Sequence, residues 1–70
     1  MQSISLDLAR VIDHLHGDLT QALRINSTAL ARERLAVAKF LARECDLLPV
    51  KQVAARAKAV AKFLEVSRHV

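Results

Sequence analysis

Apolar side chains recur at intervals of three and four residues along most of the chain, and that period belongs to the α-helix. The first stretch reads Ile4, Leu8, Val11, Ile12, Leu15, Leu19, Ala22 and Leu23, a single stripe on one helix face. It predicts a helix over about residues 4–25. Ser3 or Ser5 can cap its start, and Asp7 falls in the first turn, where the helix dipole favours an acid. Gly17 lies on the polar side of the stripe, which keeps its phase across the glycine. The helix is therefore expected to run through, at a cost of about 1 kcal/mol relative to alanine.

Asn26-Ser27-Thr28 is the next punctuation, because these side chains compete for backbone hydrogen bonds and favour caps over helix interiors. A break here separates a second helix over about residues 28–45; the alternative, allowed by Asn26 and Leu30 continuing the first stripe, is one helix from Ser5 to Cys45 on the order of 60 Å long. The second segment carries two stripes, Leu30, Val37, Phe40 and Leu41 on one face and Ala31, Leu35, Ala38, Ala42 and Cys45 on the next. Asp46 to Pro49 ends it, since proline cannot continue a helix but fits the first turn of another. The last helix, about residues 49–68, has an inner face of Val53, Ala57, Val60, Phe63 and Leu64. The expected fold is all-α, a helical hairpin or three-helix bundle.

Such a chain has little core. Seventy residues bury only about 60% of the surface that the unfolded chain exposes, and the single Cys45 cannot form an internal disulfide. One chain is expected to leave the second stripe of the middle helix uncovered, with Leu35 in water, so a homodimer about a two-fold axis is expected. An internal echo adds a candidate core: Ala36-Val37-Ala38-Lys39-Phe40-Leu41 recurs as Ala59-Val60-Ala61-Lys62-Phe63-Leu64. Val37, Leu41, Val60 and Leu64 are expected to pack together where the echoing helices meet.

Charge divides the chain unevenly. Up to Val50, six bases balance six acids, whereas Lys51, Arg56, Lys58, Lys62 and Arg68 stand against Glu65 alone, which accounts for the formal net charge of +4. The last helix is amphipathic and basic. If its apolar face is needed for the core, it is unavailable to lipid, and binding to a membrane surface is not expected.

Groups suited to catalysis or metal binding do not converge in the sequence. His14 and His16 point about 200° apart on a helix, and only Asp13 with His16, or His14 with Asp18, has ligand spacing. Cys45 lies between Glu44 and Asp46, whose charges oppose thiolate formation. No glycine-bearing turn presents a nucleophile and no glycine-rich loop could hold phosphate. No enzyme activity, metal or cofactor is expected. Residues 1–8 contain no basic segment and no unbroken apolar run, which leads to the expectation of a cytoplasmic protein.

Two partner classes remain. From Leu19 to Leu35 the chain resembles the helix-turn-helix of bacterial repressors: Leu23, Ile25 and Leu30 match its hydrophobic positions and Asn26-Ser27 opens the second helix. Arg24 stands where that motif has glycine, and Glu33 where it has a buried hydrophobe. The resemblance implies DNA binding, for which Lys51, Lys58 and Lys62 on the basic last helix are the candidate contacts. The excess of apolar helix surface points instead to a larger protein, bound and inhibited as small phage, plasmid and bacterial regulators do. Its candidate contacts are Leu35, Leu47 and Leu48, rimmed by Arg32, Lys39 and Arg43.

Overall fold

The computed structural model describes residues 5–67, and these form three helices and no strand: α1 (Leu6–Ile25), α2 (Thr28–Glu44) and α3 (Leu48–Ser67). Ser3, Ile4 and Arg68 lie outside the described residues. Helix α1 begins at Ser5, whose hydroxyl oxygen accepts from the Leu8 N–H at 3.1 Å, and it continues unbroken through Gly17.

The α1–α2 connection is two residues long. Asn26 adopts the left-handed conformation (φ 56°, ψ 44°), and the Ser27 N–H returns to the Ala22 carbonyl at 2.9 Å, closing α1. The Ser27 hydroxyl then accepts from the Leu30 N–H at 3.1 Å and opens α2. Asparagine tolerates positive φ better than other side-chain-bearing residues. We expect Asn26→Ala to lower stability by about 1 kcal/mol and Asn26→Gly to be neutral or slightly stabilising, read as shifts in thermal midpoint. Equal losses in both variants would show that the Asn26 side chain matters rather than its backbone.

So short a connection folds α2 back antiparallel to α1. Asp18 and Arg34, each eight residues from Asn26, meet across the pair at 2.6 Å. That hydrogen bond, with the carboxylate charge beside it, holds the Arg34 guanidinium above its ordinary pKa. Cys45 ends α2, its N–H bonded to the Leu41 carbonyl at 2.9 Å. The Leu47 carbonyl then accepts from Val50 and Lys51, both at 3.1 Å, while Pro49 occupies the first turn of α3, where no donor is required. Helix α3 runs antiparallel to α2, with Arg32 paired to Glu65, and hence parallel to α1. Arg56 ties α3 to α1, its guanidinium donating to the His16 carbonyl and to Thr20 Oγ1, each at 2.9 Å.

Every pair of helices is in contact, and the three share one core of Ile12, Leu15, Leu19, Ala22, Ala31, Ala38, Val50, Val53, Ala57, Val60, Ala61 and Leu64. Leucines from α1 and valines from α3 fill the space that the alanines leave open. This arrangement corrects the expected role of α2. Its second stripe, Ala31, Leu35, Ala38, Ala42 and Cys45, is the inward face, buried or packed against the core by α1 and α3 of the same chain. No second copy is needed to cover it. Of the first stripe, Leu30 and Leu41 are partly buried, whereas Val37 is 42% and Phe40 60% exposed. The small second stripe faces inward because alanine lets two neighbouring helices approach closely.

The expected core pairing is corrected in the same way. Val60 and Leu64 are buried and Leu41 is packed against the core, but Val37 is outside. Phe63, expected on the inner face of α3, is 61% exposed. Val53, Ala57, Val60 and Leu64 recur at four, three and four residues, and Phe63 lies about 100° from Leu64 around that stripe.

Candidate functional site

Two of the three expected apolar contacts are structural. Leu35 and Leu47 pack against the core, and only Leu48, at 65% exposure, is available to a partner. The apolar residues that do face solvent lie elsewhere, and they include both phenylalanines, the chain's only aromatic residues. Phe40 and Phe63 occupy equivalent places in the echoed hexapeptide, each just before a leucine that turns inward. That placement is the signal by which the sequence could have revealed them.

Phe63 borders a shallow groove of about 300 Å³ between α3 and α1, lined also by Leu23, Arg56, Ala59 and Val60. The groove is apolar except at Arg56. The hydrogen bonds from Arg56 to α1 hold its guanidinium at the groove edge, and its Nη1 also lies 3.0 Å from His16 Nδ1. To accept that bond, Nδ1 must be the unprotonated ring nitrogen. The site is thus an aromatic and an aliphatic wall with one oriented cation.

The basic candidates form a second surface. Arg32 meets Glu65 across α2 and α3, and Asp46 meets Lys51 beside the connection between them; in the antiparallel register that these pairs mark, Lys39 comes level with Lys58. Lys39 follows Arg32 by two helical turns, and Lys58 precedes Glu65 by two turns, so both flank the same seam. Arg43 follows Lys39 by one turn, and Lys62 follows Lys58 by one. The rim expected for a protein and the lysines expected for nucleic acid therefore share one face. Lys51 is drawn to Asp46 at 2.7 Å, and that hydrogen bond holds the carboxyl below the usual carboxylate range. Both groups are exposed, so the pair adds little to stability.

The helix-turn-helix resemblance finds little support in the packing. Leu23 and Ile25, two of its hydrophobic positions, are exposed, and only Leu30 is packed against the core. Asp13, His14, Gly17 and Asp18 line a shallow depression on α1 together with Arg10. Asp18 is occupied by Arg34, and no three metal-capable side chains converge among the described residues. Among the described residues no helix is long and apolar enough to cross a membrane. Comparison of the chain with protein families, characterised proteins and solved structures finds no match.

Proposed function

We propose that the chain is a non-catalytic, cytoplasmic interaction protein: a three-helix bundle that binds and inhibits a larger protein through the Phe63 groove, and that pairs with a second copy when that partner is absent. The observation that carries this reading is the exposure of both aromatic residues beside an otherwise aliphatic core. Aromatic side chains supply much of the binding energy at protein interfaces, where they act as central anchors. Leu23, Ala59 and Val60 give Phe63 an apolar setting, and the held guanidinium of Arg56 offers a partner carboxylate or carbonyl a directed donor. A short amphipathic helix of the partner suits a groove of this form.

Several groups that could serve catalysis have structural uses. The Ser5 and Ser27 hydroxyls cap helices, Thr20 and His16 engage Arg56, and the Cys45 side chain packs against the core.

The test is Phe63→Ser. Because Phe63 is exposed, its thermal melt should stay within about 0.5 kcal/mol of wild type. Affinity for the protein partner, purified from the source cell, should fall by at least 2 kcal/mol, roughly 30-fold. Sedimentation equilibrium at micromolar concentration should give twice 7.7 kDa for wild type and 7.7 kDa for the variant. A wild-type monomer would sink the pairing, and undiminished partner affinity in Phe63→Ser would sink the groove as the binding site.

A further inference from the structure

We propose that the α2–α3 seam is a binding face for the phosphate backbone of double-stranded nucleic acid, separate from the Phe63 groove and indifferent to base sequence. The seam gathers six bases, Arg32, Lys39, Arg43, Lys51, Lys58 and Lys62, against two acids, Asp46 and Glu65, both already paired. The remaining described surface has four bases against five acids, so the positive excess of the described residues lies on this one face. A solvated helix surface that carries charge only for solubility has no reason to be so one-sided. Lys39, Arg43, Lys58 and Lys62 have no acidic partner among the described residues and are exposed.

Geometry selects the ligand. Lys51 to Lys62 covers roughly 16 Å of α3 at 1.5 Å per residue, the axial length of about five phosphates on one strand. Two helices side by side are about 20 Å across, too wide for a major groove of about 12 Å, so the seam lies across the backbone and does not read base edges. Neither phenylalanine helps here. Phe63 belongs to the groove beside α1, and Phe40 is one residue, about 100°, around from Lys39. Without an aromatic platform a single strand gains nothing from stacking, so the duplex is favoured.

Four unpaired cations contacting four phosphates predict a steep salt dependence. Affinity for a short DNA duplex should fall on the order of 100-fold between about 50 and 200 mM salt. In Lys39→Gln/Lys58→Gln the same change of salt should cost only about 10-fold, because two phosphate contacts are gone. Arg10→Gln/Arg24→Gln removes the same charge from exposed positions on α1 and should keep the wild-type dependence. Two duplexes of unrelated sequence should bind alike, and a single strand more weakly. Circular dichroism of each variant checks that the helices persist. The proposal is overturned if the α1 variant loses salt dependence as fully as the seam variant, or if the duplex does not bind at low salt. It is equally overturned if phosphatidylserine vesicles or polyglutamate bind the seam in preference to the duplex.

Discussion

Replacing Leu64 by alanine should remove about 2–5 kcal/mol of stability, the cost of deleting a leucine side chain from a closed core. Leu64 is among the largest fully buried side chains. A chain of this length holds roughly 4–10 kcal/mol in all, at 0.05–0.15 kcal/mol per residue, so a large share of the fold's stability depends on this one side chain. Leu41, its counterpart in the echo, is only partly buried, and Leu41→Ala should cost less. Val37→Ala, at a position facing solvent, should stay within about 0.5 kcal/mol of wild type. Urea denaturation of the three variants, compared through their midpoints, orders them. Equal losses at Leu64 and Val37 would contradict the inward orientation of the α2 alanine stripe.

Ala38→Leu should destabilise by about 1–3 kcal/mol even though it adds apolar surface. Three more carbons, if they could be buried freely, would add roughly 2.4 kcal/mol at 0.8 kcal/mol each. Ala38 is fully buried, as are Ala31 on the same face of α2 and Ala57 on α3. A leucine there forces helices apart and uncovers more than it buries. Ala36→Leu, two residues away and exposed, should be close to neutral and serves as the control for helix propensity. The sign decides between two pictures of α2. A stabilised Ala38→Leu would mean that its inner face is loosely packed, and the close approach inferred from the alanines would be wrong.

The all-α class and the break before Pro49 were legible because each rests on local chemistry, whereas at Asn26-Ser27-Thr28 the sequence left one continuous helix open as the alternative to a break. The four-residue return of apolar side chains, the capping serine at position 27 and Pro49 act within a turn or two of themselves. The orientation of α2 was not legible from hydrophobicity alone. Two adjacent stripes competed for the inside, and the larger side chains of Val37 and Phe40 suggest burial more strongly than Ala31 and Ala38 do. The spacing between helices reversed that order, and this is a property of the neighbours rather than of α2. Phe63 was misplaced for a related reason: Leu64 takes the inward place on the stripe begun at Val53, and Phe63, about 100° around from it, faces solvent. The basic seam was visible only as two unrelated groups of charges. Their meeting depends on the packing of α2 against α3 in a register that brings Arg32 to Glu65, 33 residues apart.

Three helices that reverse direction twice are an odd number, so the chain enters at one end of the stack and leaves at the other. Leu6 and Ser67 are therefore held apart by about the length of a 20-residue helix, roughly 30 Å. The connections between helices, of two and three residues, leave little slack to vary that separation. Mechanically the fold is a strut. A polypeptide joined before Leu6 and another joined after Ser67 would be kept at a fixed distance, on opposite ends of the seam and the groove alike.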